Sequence, residues 1–432
     1  MKEGMSRPRY ILADDFTGAN DVGVALASSG IATHVLLSSE NKQSSVIDTG
    51  VICTDSRDLD KQDAKSALQK VAQNYHLAQR QPLLIKKVDS TLRGNIGSEI
   101  DALLSSGYSL AIVAIAAPSA RRKTVNGLCY VNDIPLAETE FASDPKSPIH
   151  SSRIAEIIQS QTTRVTVEYL SHEVNIVLQR QSFDHFYETG SEIIVCDTET
   201  HDDLYQLYQA ATQLKIPTVF VTTGELTHAI VEQQATADLS LKTSKQPVLA
   251  MIGSMSEMTL TQSQYLVDEQ VAEVIDLELD NLLSDNSGLY INKQSADAIS
   301  RLKSGANCVV RSCKNPELRY ELKNLATQYG LTQMQLAEHV RECLAELTSQ
   351  IVRSAHEHIG GLILCGGDVA MATAKRLNAT RYQIKGTVAG CVPWGQLESQ
   401  YTPFPTFTKA GGFGDPTTFS QVIQQLHKEV RQ

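Results

Sequence analysis

Residues 83–100 read LLIKKVDSTLRGNIGSEI, and this stretch decides the fold. A short apolar run passes through two lysines into a turn that holds Asp89, Ser90 and Arg93, and a segment with helical spacing follows. Short apolar runs that alternate with longer helical segments are typical of parallel sheets covered by helices. The stretch therefore predicts a buried strand that ends in a polar turn and leads into a helix.

The same pattern recurs along the whole chain. Apolar, β-branched runs predict strands in both halves, and these runs are YILAD, THVLL, GVICTD, LLIKKVD, LAIVAIAAPS, EIIVCD, TVFVTTG, PVLAMIGS, EVIDLEL, NCVVRSC and LILCGGD. We expect an α/β protein of two domains, each a mostly parallel sheet covered by helices, with the active site in the cleft between them.

Length and one polar segment indicate the domain boundary. A chain of 432 residues is too long for one ordinary core and suits two domains. Residues 231–246 read VEQQATADLSLKTSKQ and show no apolar periodicity. We therefore predict an N-terminal domain over residues 1–235 and a C-terminal domain over residues 246–432.

Charge and composition favour a small-molecule partner. The formal net charge of -11 disfavours binding to nucleic acid and to anionic membranes. No apolar stretch approaches the length of a membrane helix, and the first residues lack an apolar leader, so we expect a cytoplasmic protein. The eight cysteines contain no CxxC pair and are expected to be reduced core residues. The sequence assigns no metal ligands, and it leaves a homo-oligomer open.

Polar residues gather where the predicted strands end. In open α/β sheets, ligands bind outside the carboxyl ends of the strands, where loops and helix N-termini converge. The residues at these ends are Asp14, Asp15, Asp55, Arg57, Lys87, Asp89, Ser90, Pro118, Ser119, Gly253, Ser254, Ser256, Gly366, Gly367 and Asp368. We expect a binding site among them.

The segment ADDFTGAND, residues 13–21, has two interpretations. In the first, Asp14 or Asp15 caps the following helix and Gly18 allows a tight turn. In the second, one carboxylate accepts a proton from a substrate hydroxyl or holds its diol. The segment alone leaves both open.

Cations and carboxylates are mixed in KKVDSTLRGNIGSEI, residues 86–100, and in TDSRD, residues 54–58. A guanidinium and an ammonium beside a helix start suit a carboxylate ligand, and aspartates suit sugar hydroxyls. A structural ion-pair network is the alternative. The combination favours a polyhydroxy acid as ligand.

Three glycine or serine turns mark the second half. They are GSMSEMTLTQ, residues 253–262, LCGGDVAMA, residues 364–372, and TKAGGFGDP, residues 408–416. Such turns, placed between a strand and a helix, cradle phosphates with backbone N–H groups. Three of them in one domain favour a nucleotide site over unrelated structural turns. Asp368 is either an Mg²⁺ partner or a helix N-cap.

The common motifs of nucleotide enzymes are absent. The chain has no GxxxxGK[ST] loop, no GxGxxG fingerprint and no protein-kinase motif set. A non-catalytic sugar-acid sensor would leave the glycine turns without a role, and a hydroxy-acid dehydrogenase would lack its dinucleotide fingerprint. Motifs alone therefore leave the reaction open.

Five ordered blocks resemble one family. ADDFTGAND, KKVDSTLRGNIG, GSMSEMTLTQ, CGGDVA and TKAGGFGD are similar to the four-carbon acid sugar kinases, from about Tyr10 to the C-terminal helix. The resemblance implies an N-terminal domain that binds the acid sugar and a C-terminal domain that binds ATP, with Mg²⁺ on its phosphates. Members phosphorylate D-threonate, D-erythronate or 3-oxo-tetronate at O4, and the KVDSTLRG form favours D-threonate.

The resemblance also implies roles for individual residues. Asp15 is expected to be the base for the O4 hydroxyl, with Asp89 and then Asp415 as alternatives, and Arg93 or Lys87 is expected to hold the carboxylate. The expected acid-binding residues are Asp14, Asp15, Arg57, Lys87, Asp89, Ser90 and Arg93. The expected ATP-binding residues are Ser254, Gly366, Gly367, Asp368, Val369, Gly411 and Gly412.

Overall fold

The computed structural model describes residues 9–37, 49–144, 147–169, 176–231, 241, 243–315 and 317–428. The chain forms two compact units, Met1–Thr236 and Ala237–Gln432. Much of the polar segment that we expected at the domain boundary, residues 232–240 and 242, lies outside the described residues.

The first unit is built on a parallel sheet. Its strands, with those of a small antiparallel sheet, are β1 Tyr10–Ala13, β2 Thr33–Leu36, β3 Thr49–Cys53, β4 Leu83–Lys87, β5 Leu110–Ala114, β6 Arg122–Val125, β7 Leu128–Val131, β8 Ile134–Pro135, β9 Thr166–Tyr169, β10 Ile193–Cys196 and β11 Thr218–Thr222. The parallel order is β2-β3-β1-β4-β11-β5-β10-β9. All these strands point the same way, so their carboxyl ends meet at one edge.

Helices cover this sheet, since both of its faces are apolar. They are α1 Phe16–Ser28, α2 Lys61–Asn74, α3 Leu77–Arg80, α4 Ile96–Leu104, α5 Ile154–Gln159, α6 Ile176–Glu188, α7 His201–Thr212 and α8 Glu225–Ile230. Leu12, Leu84 and Val113 of the sheet share one buried cluster with Leu68 of α2 and Ile100 of α4. This core fixes the strand ends on which the polar loops stand.

A three-stranded antiparallel sheet, β6-β7-β8, follows the carboxyl end of β5. Its turns contain Asn126 and Gly127, with φ of 52° and 72°, and Asn132 and Asp133, with φ of 51° and 63°. Two adjacent residues with positive φ make the type I′ turn that matches strand twist, and Asn-Gly is its preferred sequence. We did not predict this sheet, although its first turn carries that signal.

The second unit has a mixed sheet. Its strands are β12 Val248–Ile252, β13 Glu273–Asp276, β14 Cys308–Arg311, β15 Gly361–Cys365, β16 Arg381–Val388, β17 Val392–Leu397 and β18 Thr406–Lys409. Strands β13-β14-β12-β15-β18 are parallel, and β17 and β16 continue the sheet antiparallel. The turns after β12, β15 and β18 therefore lie at one edge.

The helices of the second unit are α9 Glu257–Asp268, α10 Leu279–Leu283, α11 Ser287–Lys303, α12 Leu318–Gln328, α13 Gln333–Ala355, α14 Gly367–Arg376 and α15 Thr418–His427. Ile252, Ile363 and Phe407 of the sheet pack in one cluster with Leu266 of α9 and Phe419 of α15. None of the helices in the described ranges is long and apolar enough to span a membrane.

The predicted α/β class, with two domains of mostly parallel sheet covered by helices, is confirmed, because every run that we predicted as a strand forms one. The active site in a cleft between the domains stays a prediction. The strands that we did not predict are β6 to β9 and β16 to β18. All eight cysteines lie in described segments as free thiols, and all except Cys391 are buried, as expected for reduced core residues.

Candidate functional site

Arg57 binds two adjacent carboxylates at the carboxyl ends of β1 and β3. Its Nε and Nη2 donate to Oδ2 and Oδ1 of Asp14 at 2.9 and 3.0 Å, and its Nη1 donates to Oδ2 of Asp15 at 2.7 Å. A bidentate guanidinium–carboxylate pair is strong and fixes both partners in orientation. The loop after β3 is also held to β1, because the Ser56 N–H donates to the Asp14 carbonyl at 2.9 Å.

The two carboxylates differ in pKa. Burial alone would raise the pKa of Asp14, but attraction by Arg57, Lys86 and Lys87 lowers it below the ordinary aspartate value. Burial raises the pKa of Asp15, and the negative charge of Asp14 adds to the rise, although Lys87 and Arg57 oppose it. Neighbouring carboxylates whose environments move their pKa values apart are typical of acid–base sites.

Lys87 reaches Asp15 across the first turn of α1. Its Nζ lies 3.7 Å from Oδ1 of Asp15, and a Cβ added to Gly18 would lie 2.0 Å from that Nζ. Our expectation that Gly18 allows a tight turn is wrong, since Gly18 lies inside α1 and leaves room for the lysine. Asp15 is the N-cap of α1, with Oδ1 accepting from the Gly18 N–H at 2.8 Å.

The loop after β4 forms a second cluster of ion pairs. Asp89 Oδ2 accepts from Arg93 Nε at 2.7 Å and from the Thr91 hydroxyl at 2.5 Å, and Arg93 Nη1 also donates to Asp144 at 3.2 Å. Burial opposes ionisation of Asp89, but Arg57 and Arg93 lower its pKa well below the ordinary value. Asp89 is therefore an ion-pair partner that stays ionised.

The same loop contains Leu92, whose φ is 60°. This conformation is rare for a branched residue and needs support from packing.

A fully buried ion pair lies beneath these loops. Lys86 Nζ is 2.9 Å from Oε2 of Glu99 of α4, and the two side chains are 0% and 1% exposed. The Ser56 hydroxyl donates to Glu99, and Lys86 Nζ also donates to the Lys87 carbonyl at 3.2 Å. The Glu99 carboxylate of α4 thus contacts both Lys86 at the end of β4 and Ser56 in the loop after β3.

Ser90 lies against a residue that we did not name from the sequence. The Arg122 guanidinium donates to the Ser90 hydroxyl through Nη1. The guanidinium carbons of Arg122 and Arg93 lie 5.6 and 5.5 Å from the centre of the Phe141 ring. The first unit thus presents three arginines at the sheet edge, of which we expected two.

In the second unit, the turns after β12 and β18 are in contact. The Thr259 hydroxyl donates to the Gly411 carbonyl at 2.7 Å and lies 3.4 Å from the Ser254 hydroxyl. Ser256 caps α9 by accepting from the Thr259 N–H at 3.3 Å. A Cβ added to Gly411 would lie 2.1 Å from the Ser254 hydroxyl oxygen, so this approach requires glycine at position 411.

The turn after β15 presents the start of α14. Gly366 has φ of 111° and is the N-cap without a side-chain hydrogen bond, and the N-terminus of a helix is suited to an anionic ligand. Asp368 lies in that first turn, and our alternative of Asp368 as N-cap is wrong. Val369 packs close to Gly253, where an added Cβ would lie 2.5 Å from its Cγ2.

Lys409, the last residue of β18, is a buried cation. Its Nζ donates to the Ala410 and Gly411 carbonyls at 2.9 and 3.0 Å and lies 5.4 Å from the centre of the Phe419 ring. Burial lowers its pKa. A Cβ added to Gly412 would meet nothing within 4 Å, so open space lies beside this loop.

Asp415 is held by the start of α15. Its Oδ1 accepts from the N–H and hydroxyl of Thr417 at 2.8 and 2.6 Å, and these bonds lower its pKa. The Gln262 side-chain amide donates to the Phe413 and Asp415 carbonyls at 3.0 and 2.8 Å. The turn is therefore ordered by α9 and α15.

The sequence-predicted residues fall into two groups, one in each unit. The end of β4 and the loops after β1, β3 and β4 carry the predicted acid-binding residues. The turns after β12, β15 and β18 and the start of α14 carry the predicted ATP-binding residues. The residues that we missed are Glu99, Arg122, Phe141, Asp144 and Lys409. No cluster of three or more His, Cys, Asp or Glu side chains placed to hold a metal occurs within the described ranges.

Each of the two units matches a known protein family. A family described as "Sugar-binding N-terminal domain" matches residues 9–230, and one described as "Nucleotide-binding C-terminal domain" matches residues 249–419. The crystal structure of a Haemophilus influenzae protein shares the fold, with a TM-score of 0.73 at 21% identity over 97% of this chain and 100% of that one.

Two relatives that are named as kinases match nearly the whole chain. The D-threonate kinase of Salmonella typhimurium is 36% identical over 97% of this chain and 98% of its own. The D-erythronate kinase of Heliobacterium modesticaldum is 29% identical over 97% of each chain. With both family domains present in order and a relative of this identity along nearly its full length, the chain belongs to the family of four-carbon acid sugar kinases.

Proposed function

We propose that this protein is an ATP-dependent kinase that phosphorylates the O4 hydroxyl of a four-carbon sugar acid, with D-threonate as the first candidate. The acid binds to the first unit, at Asp14, Asp15, Arg57, Lys87, Asp89, Ser90 and Arg93. ATP binds to the second unit, at Ser254, Gly411, Gly412 and the stretch from Gly366 to Val369. The two family descriptions and the kinase relatives support this division of roles.

The Asp14–Asp15 pair is the observation that carries the proposal. Asp14 is held ionised by Arg57, whereas the pKa of Asp15 is raised. A base whose pKa is raised toward the working pH takes a proton more readily than an ordinary aspartate. We assign Asp15 as the base for O4, ahead of Asp89 and Asp415, because hydrogen bonds and ion pairs lower the pKa of both alternatives.

The second unit has features that fit a nucleotide. The start of α14 lacks a side-chain cap, open space lies beside Gly412, and the buried Lys409 adds positive charge to the same turns. Bound ATP with Mg²⁺ supplies the phosphoryl group and neutralises its charge. Asp368, in the first turn of α14, is the carboxylate that we propose to hold Mg²⁺, which usually binds to one or two carboxylates together with phosphates.

The protein's own contribution is positioning and charge. Phosphoryl transfer needs an acceptor in line and electrostatic stabilisation rather than covalent help from the enzyme. Arg57 orients the carboxylates that face the acceptor hydroxyl, and backbone N–H groups of the second unit hold the phosphates. We rank D-threonate ahead of D-erythronate and 3-oxo-tetronate as the candidate substrate because the relative that is 36% identical is named a D-threonate kinase.

An ADP-release assay with a panel of four-carbon acids tests the proposal. The purified full chain is incubated with ATP and Mg²⁺, and with D-threonate, L-threonate, D-erythronate or 3-oxo-tetronate in turn. We expect the highest kcat/KM for D-threonate, with a 4-phosphate product identified by ³¹P NMR. ADP release that no acid stimulates above the acid-free control would refute the kinase function, and a clear preference for another acid would correct the substrate.

A further inference from the structure

The guanidinium of Arg122 lies at the sheet edge where we propose that the acid binds, next to Ser90. It begins β6, and its backbone N–H and carbonyl pair with Ala117, just after β5, at 3.0 and 2.9 Å. Its Nη1 donates to the Ser90 hydroxyl, and its guanidinium stacks near the Phe141 ring. Within the part of the chain that the structure describes, no carboxylate forms an ion pair with it.

The other two arginines are already neutralised. Arg57 directs three donors to Asp14 and Asp15, and Arg93 directs Nε to Asp89 and Nη1 to Asp144. A guanidinium offers five N–H donors and cannot lose its charge in a protein. A ligand carboxylate that approached either arginine would compete with carboxylates of the protein.

The environment of Arg122 favours an anion. Its side chain is half-buried, and its Nε is buried without an acceptor. A charged group removed from water without a counter-ion is destabilised, and pairing with an anion relieves that cost. The ring of Phe141 restricts the guanidinium plane through a cation–π contact, so its remaining donors are held in place before a ligand arrives.

Two further contacts place Arg122 at the acid site. Its partner Ser90 directly follows Asp89, and Arg93 shares the Phe141 ring with it. The same loop packs against Arg57, since a Cβ added to Gly94 would lie 3.0 Å from Arg57 Cγ, and Arg57 holds Asp15. The loop after β4 therefore contacts both Arg57, which binds Asp15, and Arg122.

We propose that Arg122 binds the carboxylate of the four-carbon acid, with the O4 hydroxyl toward Asp15. This inference rests on the proposed kinase function and names the group that distinguishes an acid from a neutral polyol. Arg93 then acts as a neighbour that is neutralised by Asp89 and Asp144, and Ser90 orients Arg122.

The test compares D-threonate with D-threonamide, in which a neutral amide replaces the carboxylate. Wild type and Arg122→Gln are assayed as full chains with ATP and Mg²⁺. In wild type we expect kcat/KM for the acid to exceed that for the amide by roughly 100-fold, the size expected when a partner of a hydrogen-bonded charge pair is removed. In Arg122→Gln the ratio should fall close to one, while KM for ATP stays unchanged.

Arg121→Gln is the matched control. Arg121 is exposed and precedes Arg122 in the chain, so its replacement changes net charge equally without touching the proposed contact. We expect it to keep the acid-to-amide ratio of wild type. Thermal unfolding of both variants checks that each is folded, and Arg122→Lys, which keeps the charge but loses the planar fork, should retain part of the ratio.

The outcomes separate this inference from the proposed function. If wild type phosphorylates D-threonate but Arg122→Gln keeps the acid preference, the inference is overturned and the kinase function stands. An equal fall for acid and amide would assign Arg122 to another group, such as the transferring phosphoryl group, and would also overturn it. Loss of the ratio in Arg93→Gln but not in Arg122→Gln would move the carboxylate to Arg93. If wild type uses no four-carbon acid, the proposed function itself fails.

Discussion

Arg57 clamps Asp14 with two parallel hydrogen bonds, from Nε to Oδ2 at 2.9 Å and from Nη2 to Oδ1 at 3.0 Å. Asp15 receives only one hydrogen bond from the same guanidinium, at 2.7 Å. The two consecutive aspartates also differ in pKa: burial raises the pKa of Asp15, whereas attraction by Arg57, Lys86 and Lys87 overcomes burial and lowers that of Asp14.

Asp15→Asn should separate binding from chemistry. Asparagine caps a helix about as well as aspartate, so the bond to the Gly18 N–H and the midpoint of thermal unfolding should change little. As loss of a general base, the change should lower kcat by about 10²–10⁴-fold with both ligands still bound. Steady-state kinetics beside calorimetric titrations measure this. A kcat within a few-fold of wild type would mean that Asp15 only caps α1.

The pH profile should respond to Lys87. The base must be ionised to act, so kcat/KM should fall as pH falls through the pKa of the Asp14–Asp15 pair. The charge of Lys87 opposes the rise in the pKa of Asp15; its removal in Lys87→Met should therefore raise that pKa further. The acid limb should move to higher pH in this variant, whereas Lys70→Met, at an exposed position of α2, should keep the wild-type profile. If the acid limb of the kcat/KM profile stays in place or moves to lower pH in Lys87→Met, the assignment of Asp15 as the base is contradicted.

Gly366→Ala should weaken ATP binding specifically. An alanine at φ of 111° strains the backbone by about 1–3 kcal/mol, and relief of that strain would move the N–H groups at the start of α14. We expect the dissociation constant of ATP to rise roughly tenfold, with acid binding unchanged. Gly305→Ala is the control, since Gly305 also has positive φ, 88°, but follows α11 with nothing within 4 Å of its added Cβ. Equal ATP affinity in the two variants, measured by calorimetry, would refute the phosphate-turn assignment.

Lys86→Met should destabilise the protein strongly, because it leaves Glu99 buried without its cation. Removal of one partner from a buried ion pair costs about 3–5 kcal/mol. The double variant Lys86→Met/Glu99→Met should recover much of this loss. Lys65→Met, which breaks the more exposed pair with Asp101, should cost about 1 kcal/mol or less. Denaturant unfolding measures all three, and a Lys86→Met variant that is destabilised no more than Lys65→Met would contradict this role of the buried pair.

Local pattern was enough to predict the parallel sheets and the loops that carry the site. Buried parallel strands form continuous apolar runs, so a run such as LLIKK and its polar end at Asp89 are visible in the sequence. The hairpin from Arg122 to Val131 lacks such a run, because it alternates partly buried and buried residues. Its signal was the Asn126–Gly127 pair, and missing that turn also meant missing Arg122.

Partnerships between distant residues could not be read from the sequence. The sequence does not distinguish Arg57, Arg93 and Arg122 from one another. Only the structure shows that the first two form ion pairs with carboxylates. Asp144, which pairs with Arg93, lies in a segment without helical or strand periodicity. The burial of Lys409 similarly depends on the packing of α15, whose Phe419 faces it.

The position of β11 in the sheet has a consequence for how the protein folds. β11 is the last strand of the first unit in the chain, yet it lies between β4 and β5, and the Thr222 carbonyl accepts from the N–H of Val88 at 2.8 Å. During synthesis, the edge of β4 stays unpaired until β11 has left the ribosome. Pairing between strands so far apart in the chain is slow, and an open apolar edge invites association with other chains. We therefore expect the loop that carries Asp89 and Arg93 to be among the last parts of this unit to acquire protection from hydrogen exchange, and the nascent unit to depend on chaperones before residue Thr222 is available.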